Sequence, residues 1–363
     1  MNRNVLILGS RAPMAIELAR SFHKHGNRVV FADSLKFPIG RWTNTIVKYE
    51  RLPSARHQTL QYVDAISRLV AKYAITDIIP CCEEVFYIAR YKDKWNCKVW
   101  TSDLTLLNTL HNKETFAQAC KTHLNIPETI SMDQFTDWSH SNEYVFKPKY
   151  SRFANQVFIG QFITHETVRF PENWIAQKKI TGKEICVYSI WDKGKLKGYA
   201  CYEPLYRAGK GAGIFFKRTE NEQVKNQVKS LGKAHNYTGQ LSFDVILSND
   251  NKEAWFIECN PRGTSGAHLL NSQLAACFFK EAENVSTDSK DYMLSSLMLF
   301  THPVQFFRKK MKRAKGVIFK TNDPLPSLLQ LLSVVELVYL KFSKKVSLLE
   351  ATTYDIEWNG NES

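Results

Sequence analysis

Two apolar segments separated by a helical one, all within the first 34 residues, restrict the fold more than any other feature. NVLILGS at 4–10 and RVVFADS at 28–34 have the length and aliphatic content of buried strands. Between them, PMAIELARSFHKHG at 13–26 carries Pro13 where a helix begins and Gly26 where one ends. Strands joined by a helix lie parallel in one sheet, so the chain is predicted to begin as a parallel α/β domain.

The parallel sheet is predicted to continue to about residue 105. ITDIIPCCEE at 75–84 provides a third strand and the start of a helix, and KVWTS at 98–102 provides a fourth strand. We therefore expect a small doubly wound domain over 1–105. A dehydrogenase is not favoured, because the turn at 9–13 reads GSRAP and holds only the first glycine of the dinucleotide-binding fingerprint.

Beyond residue 105 the pattern changes to short strands mixed with helices, which is typical of an α+β region. Strands are predicted at 143–148, 156–160 and 173–180, a hairpin at 184–200 that turns over 192–195, a helix at 220–235, and two strands around a polar turn over 239–260.

In the segment WFIECNPRGTSG at 255–266, an apolar strand ends in side chains that can bind a metal ion or an anion. Glu258, Asn260 and Arg262 are spaced by two, so they share one face of an extended chain. Carboxylate and amide oxygens are ligands for a hard cation such as Mg²⁺, and an arginine binds a carboxylate or a phosphate. The alternative is an ordinary strand end whose polar residues turn into a loop.

Other polar residues precede this segment in a definite order. Lys113 begins a helix, Lys147 ends a strand before a proline, QKKITGKE spans 177–184, and Asp244 lies on the strand before Glu258. This order of two lysines, a hinge segment, an acid and an acid-x-Asn pair resembles the ATP-grasp superfamily. The resemblance covers about residues 1–300 and is to the branch with carbamoyl-phosphate synthetase large-subunit halves, biotin carboxylase and D-alanine–D-alanine ligase.

The resemblance implies an α/β fold in three parts. Residues 1–105 would form a Rossmann-like pre-ATP-grasp domain, and residues 106–302 would form an ATP-grasp fold of two α+β subdomains. Residues 303–363 would form a C-terminal basic and amphipathic extension. The implied cofactors are ATP and Mg²⁺, with Mn²⁺ as an alternative metal.

The resemblance also implies roles for individual residues. Lys113 and Lys147 would hold the α- and β-phosphates, and Asp244, Glu258 and Asn260 would bind the metal. The remaining nucleotide-binding residues would be Gln177, Lys178, Lys179 and Ile180 at the hinge around adenine, and Glu184 at the ribose hydroxyls.

The implied reaction is the ATP-dependent joining of a carboxylate to an amine through an acyl phosphate. Arg262, acting with Lys147, would bind the acid or stabilise the tetrahedral intermediate. The substrates would be small molecules or peptides. One alternative is chemistry on bicarbonate, giving a carbamoyl or carboxyl product. Others are a degenerate ATP-grasp protein without turnover and a non-enzymatic protein that binds nucleotide, nucleic acid or membrane.

Two loops bear on phosphate binding. The loop after Lys147 is usually rich in glycine, but here it reads KYSRFAN at 149–155. Ser151 and Arg152 are expected to replace backbone amides there, or nucleotide binding is weaker or altered. The segment RAGKGAG at 207–213 is predicted to be a mobile loop whose Arg207 or Lys210 reaches the γ-phosphate or the acid.

Charge and composition agree with an acidic ligand. The formal net charge is +14, and residues 141–220 hold fourteen Lys and Arg against seven Asp and Glu. A second basic cluster, RKKMKRAK at 308–315, is expected to be a solvated surface. Nucleic acid is not favoured as a partner, because no RNA-binding aromatic pattern accompanies the basic residues.

The C-terminal segment LPSLLQLLSVVELVYLKF at 325–342 is interrupted by polar residues, so we do not expect a membrane span. It is predicted to be an amphipathic helix packed on the body of the protein or on another subunit, which would make a homodimer. The eight cysteines include no CxxC pair, and together with the N-terminal sequence they favour free thiols and a cytoplasmic location.

Overall fold

The computed structural model of the protein describes residues 2–151, 157–209, 211–250, 252–279, 290–308 and 313–360. Its N-terminal strands are β1 (Asn4–Leu8), β2 (Arg28–Asp33), β3 (Lys48–Arg51), β4 (Asp77–Ile79) and β5 (Lys98–Val99). The helices of this part are α1 (Pro13–Lys24), α2 (Thr59–Tyr73), α3 (Glu84–Arg90), α4 (Leu104–His111) and α5 (Lys113–Cys120).

These strands form a parallel sheet in the order β3-β2-β1-β4-β5, with helices on both faces. Alternate residues of β1 enter different cores: Val5 and Ile7 belong to the cluster that contains α1, whereas Leu6 belongs to the cluster that contains α2. The predicted doubly wound domain is therefore confirmed. Strand β3 was not predicted, because KYER at this edge has no apolar run.

A small antiparallel sheet follows. Its strands are β6 (Thr129–Ser131), β7 (Tyr144–Pro148), β8 (Phe158–Ile159) and β9 (Trp174–Lys178), in the order β6-β9-β7-β8. It has a separate aromatic core, in which Phe135 packs edge-on against Phe146 with ring centroids 5.2 Å apart. This sheet is one of the two that enclose the candidate site.

The second enclosing sheet is larger and mostly antiparallel. Its strands are β10 (Gly182–Asp192), β11 (Lys195–Ala208), β12 (Ala212–Thr219), β13 (Gly239–Ser248), β14 (Ala254–Asn260), β15 (Tyr292–Met293) and β16 (Lys315–Gly316), in the order β14-β13-β10-β11-β12-β15-β16. Its helices are α6 (Glu222–Ala234), α7 (Ala267–Leu270) and α8 (Leu274–Phe279).

Hairpins join consecutive strands of this sheet. The predicted β10–β11 turn is confirmed, with Lys193 at φ 49° and Gly194 at φ 73°, the left-handed pair that a tight hairpin needs. The glycine-rich segment 207–213 was predicted to be a mobile loop over the active site. It is instead the end of β11, a turn and the start of β12, because the two strands pair up to Ala208 and Ala212.

The C-terminal part contributes α9 (Ser295–Thr301), α10 (Pro303–Phe306), α11 (Leu325–Leu328), α12 (Gln330–Lys344) and α13 (Leu348–Ala351). None of the helices within the described ranges is long and apolar enough to cross a membrane. The domain boundaries at 105 and 302 stay predictions, although β16 from the expected extension pairs with β15 in the large sheet.

The chain end returns to the N-terminal domain. Trp358 is fully buried, stacked on Phe86 at 5.7 Å and edge-on to Tyr87 at 5.0 Å. Arg11 binds Asp355 through two contacts of 2.6 Å. The expected extension is therefore anchored to the first domain at its far end.

We expect Trp358→Ala to lower the free energy of unfolding by roughly 3–5 kcal/mol, because it removes a large buried ring. Chemical denaturation followed by circular dichroism measures this. Phe162→Ala is the control, since Phe162 is 74% exposed and its loss should change stability by less than about 0.5 kcal/mol. Equal stability of the two variants would show that the chain end does not support the fold.

Candidate functional site

A cavity of about 700 Å³ lies between the small sheet and the large one. One wall carries Lys147 on β7 and Gln177 on β9, and the other carries Glu184 on β10, Asp244 on β13 and Glu258 on β14. This volume is in the range of small-molecule sites. Polar side chains from five strands converge there, which a purely structural cleft does not require.

The acids are brought together by strand register. Asp244 and Glu258 are direct partners in the β13–β14 pairing, and a register shift follows Asp244. Across the other edge of β13, Asp244 is the partner of Cys186. Donor atoms of Glu184, Cys186 and Asp244 lie within 4.8 Å of one another. Burial raises the pKa of the Cys186 thiol, so the carboxylates are the better ligands for a hard cation.

The two central acids have opposite pKa shifts. Burial raises the pKa of the Asp244 carboxyl to about 7, and the charge of Glu258 adds to the rise. Burial also acts to raise the pKa of Glu258, but the charges of Lys113 and Lys147 outweigh it and the pKa is lowered. At neutral pH, Glu258 is therefore ionised while Asp244 is close to its midpoint.

Both lysines are buried against these acids. The Lys113 ammonium is 3.5 Å from the Glu258 carboxylate, and its side chain is 1% exposed. Asn112 caps α5, because its side chain accepts hydrogen bonds from the backbone amides of Glu114 and Thr115. This cap fixes the position of Lys113 in the first turn of the helix. Lys147 donates 3.0 Å bonds to Gln177 Oε1 and to the backbone carbonyl of Ile257. Burial lowers the pKa of Lys147 to about 8.

The hinge segment is partly engaged within the protein. The Gln177 side chain accepts a hydrogen bond from Lys147 and donates one to Thr129 Oγ1 at 2.9 Å, so both the oxygen and the nitrogen of its amide are hydrogen-bonded. Lys178 donates to Glu143 at 2.7 Å. Glu184 accepts a hydrogen bond from Arg207, a contact that was not predicted from the sequence.

Among the described residues, Arg262 keeps an N–H donor that no protein group accepts. Its Nη2 donates to Asn260 Oδ1 at 3.2 Å and its Nη1 to the Gly263 carbonyl at 3.4 Å. Its buried Nε has no partner among the described residues. Ser242 holds the backbone of this turn by donating to the Arg262 carbonyl at 3.0 Å.

The structure brings nearly all the sequence-predicted residues to one cavity. Those that line it are Lys147, Ser151, Gln177, Lys178, Lys179, Ile180, Glu184, Asp244, Glu258, Asn260 and Arg262. Lys113 contacts the cluster through Glu258. The predicted Arg152 and Lys210 lie outside the described residues. Cys186 was missed, although its position two residues after Glu184 puts both on the same strand face.

Comparison with known proteins agrees with this geometry. Residues 110–266 match the family model described as an ATP-grasp domain. No curated protein matches the sequence. Among solved structures, the chain is similar to N5-carboxyaminoimidazole synthetase from Staphylococcus aureus, at 15% identity and a TM-score of 0.64, covering 84% of this chain and 88% of that one.

Two other similar structures have different named activities. One is an L-amino acid ligase from Bacillus licheniformis, at 15% identity and a TM-score of 0.57, covering 79% of this chain and 72% of that one. The other is the biotin carboxylase domain of 2-oxoglutarate carboxylase from Hydrogenobacter thermophilus in complex with MgADP, ADP and bicarbonate. It is 13% identical with a TM-score of 0.58 and covers 79% of this chain and 72% of that one.

Residues 110–266 are therefore similar to the ATP-grasp superfamily through its domain model. Over most of the chain, the similarity to the solved structures shows a shared fold. The predicted fold class, a parallel α/β domain followed by an ATP-grasp fold, is confirmed. ATP and Mg²⁺ are typical of this superfamily, and the oxygen ligands and buried lysines of the cavity fit both.

We expect the Asp244 carboxyl to titrate near pH 7 in the protein alone, and at lower pH in Glu258→Gln, because this change removes an adjacent negative charge. NMR titration of ¹³C-labelled aspartate measures both values. Asp64→Asn, an exposed site on α2, is the control and should leave the Asp244 pKa unchanged. A wild-type Asp244 pKa near the ordinary value of about 3.9 would contradict the burial argument.

Proposed function

We propose that this protein is a Mg²⁺- and ATP-dependent ligase that joins a carboxylate to an amine through an acyl phosphate. The observation that carries the proposal is that buried Lys147, the Asp244–Glu258 acid pair and Arg262 line one cavity, with buried Lys113 in contact with Glu258. Charges of both signs in one cleft suit a polyanionic ligand with its counter-cation.

The metal would be held by Asp244, Glu258 and Asn260, with Mn²⁺ as the alternative to Mg²⁺. Asn260 Oδ1 accepts from Arg262, but an amide oxygen has a second lone pair left for a cation. The bound ion supplies charge neutralisation on the transferred phosphoryl group. Lys113 and Lys147 would contribute the other positive charges, as point charges at the α- and β-phosphates.

The nucleoside would occupy the hinge side of the cavity. Because the Gln177 side chain is already engaged, adenine recognition would fall to the backbone of Lys178, Lys179 and Ile180. Glu184 would accept the ribose hydroxyls after release from Arg207, and the freed Arg207 would then face the phosphates or the acid. Ser151, at the cavity wall, would assist with phosphate.

In the proposed reaction a carboxylate oxygen of the acid attacks the γ-phosphorus, and the bond to the β-phosphate oxygen breaks to release ADP. The amine nitrogen then attacks the acyl carbon and loses its proton, and inorganic phosphate leaves with the electrons of the carbon–oxygen bond. Arg262 would hold the carboxylate in the first step and the tetrahedral oxyanion in the second. The acid and amine would be small molecules or peptides.

A second candidate uses bicarbonate as the acid, giving carboxyphosphate. Two of the similar structures favour this candidate. One is the N5-carboxyaminoimidazole synthetase, and the other is the biotin carboxylase domain that was solved with bicarbonate. Arg262 serves both schemes. ADP release measured across amino acids, dipeptides and bicarbonate, with labelled bicarbonate traced into product, separates the two candidates.

We expect Glu258→Gln to abolish ADP release with every acid that the wild-type protein uses, because the change removes a charged metal ligand while keeping the side-chain shape. The coupled ADP assay at millimolar Mg²⁺ measures this. Glu166→Gln, at a carboxylate 82% exposed, is the matched control and should retain full activity. Near-normal turnover in Glu258→Gln would refute the metal-site assignment.

We expect Arg262→Ala to raise the KM for the acid about tenfold to a hundredfold while sparing the KM for ATP. A charged hydrogen bond to a carboxylate is worth roughly 1.5–3 kcal/mol, and each factor of ten is about 1.4 kcal/mol. Arg262→Lys should recover only part of the loss, since an ammonium has no bidentate fork. Steady-state kinetics with each substrate varied in turn gives both constants. Arg169→Ala, at an exposed position, is the control and should leave both constants unchanged. An increase only in the KM for ATP in Arg262→Ala would instead assign Arg262 to the nucleotide.

A further inference from the structure

Helix α12 exposes its apolar face. Leu328, just before the helix, and Leu331, Val335, Tyr339 and Phe342 follow one another at intervals of three or four residues, so they form one stripe. Their exposed fractions are 64%, 66%, 65%, 69% and 72%. An amphipathic helix on a globular protein ordinarily turns such a stripe towards the core.

The orientation of α12 is held by polar contacts on its inner side. The Glu336 carboxylate accepts from the backbone amides of Lys36 at 2.6 Å and Phe37 at 2.7 Å. Ser333 is buried and donates to the Phe37 carbonyl at 2.5 Å. A helix that rotated its stripe inward would lose these bonds and would bury the Glu336 charge without them.

A second exposed apolar segment lies next to the first. Phe300, Val304 and Phe307, on and just after α9 and α10, are 79%, 68% and 64% exposed. The two segments meet where Ser296 donates to Gln330 at 3.1 Å. We call the stripe of α12 and these three residues the outer apolar surface. Large exposed apolar patches on globular proteins commonly mark interaction sites.

The surroundings of this surface are strongly basic. The described residues within 292–349 include seven Lys and Arg and only two Asp and Glu. Both acids are engaged inside the protein, Asp323 by Arg20 at 2.8 Å and Glu336 by the backbone amides above. Lys341, Lys344 and Lys345 at the end of α12 are exposed. The complementary partner is therefore apolar and anionic together.

We propose that the outer apolar surface binds an anionic membrane, with α12 lying in the plane of the headgroups. At 15 residues the helix is about 22 Å long, short of a hydrocarbon core of roughly 30 Å, so it suits the interface rather than a crossing. Its apolar side chains would enter the acyl boundary while the lysines contact acidic headgroups.

A second copy of the chain fits this surface less well. A symmetric dimer brings the same patch of both copies together, so the two basic surpluses would face each other and repel. A membrane with acidic lipids instead matches both the apolar stripe and the charge. This inference is independent of the proposed reaction, because it uses none of the cavity residues.

The test is co-sedimentation of the full chain with vesicles of phosphatidylserine and phosphatidylcholine, compared with phosphatidylcholine alone. We expect binding that requires phosphatidylserine and weakens with salt. The double variant Leu331→Ser with Phe342→Ser should bind more than about tenfold less tightly. The control pair, Leu60→Ser with Phe162→Ser, has matched exposures of 66% and 74% and should bind like wild type.

The charge contribution has its own variant pair. Lys341→Gln with Lys344→Gln, both in the last turn of α12, should weaken binding about twenty-fivefold, since each charge is worth about fivefold at an anionic surface. Lys24→Gln with Lys233→Gln changes last-turn lysines of α1 and α6 and should have no effect. These four lysines are exposed, so the variants test the proposal even where an apolar-face variant folds poorly.

Three results would overturn the proposal. Failure of the wild-type protein to sediment with anionic vesicles would do so, and so would equal binding to neutral vesicles. The third is that light scattering shows a wild-type dimer, that the double variant Leu331→Ser with Phe342→Ser is monomeric, and that neither protein binds vesicles. That result would assign the outer apolar surface to a subunit contact.

Discussion

The charge cluster that joins buried Lys113 and Lys147 to half-buried Asp244 and Glu258 is the interaction on which the candidate site depends. The lysines come from α5 and the small sheet, and the acids come from the large sheet. A buried ammonium that loses its partners is strongly destabilising. Lys147 on the small sheet donates to the Ile257 carbonyl on the large sheet, so this bond links the two sheets beside the cavity.

The same cluster explains the electrostatics of the cavity. Lys113 and Lys147 keep Glu258 ionised, and the charge on Glu258 helps to hold Asp244 near its midpoint at neutral pH. A cation entering the cavity would relieve the repulsion between the two acids, and a polyphosphate would satisfy the two lysines. This balance of charges supports the proposed binding of a metal together with a polyphosphate.

Sequence patterns anticipated the local features well. Period-two spacing put Glu258 and Asn260 on one strand face, and the tight turn at Lys193 and Gly194 followed from its residue types. Prediction failed at β3, an edge strand without an apolar run, and at 207–213, where a glycine-rich segment pairs as a hairpin. In both places backbone pairing with a neighbouring strand outweighs residue preference.

The resemblance carried by the order of these residues implied an ATP-grasp fold and most side chains of the candidate site, while the shared faces of strand residues followed from local spacing. Folding was needed to show that Gln177 is engaged by Lys147 and Thr129, that Cys186 lies opposite Asp244, and that Arg207 binds Glu184. It was also needed for the direction of α12, since the stripe alone predicts inward packing. These features depend on burial and on charges brought together from distant parts of the chain, and neither is contained in a local pattern.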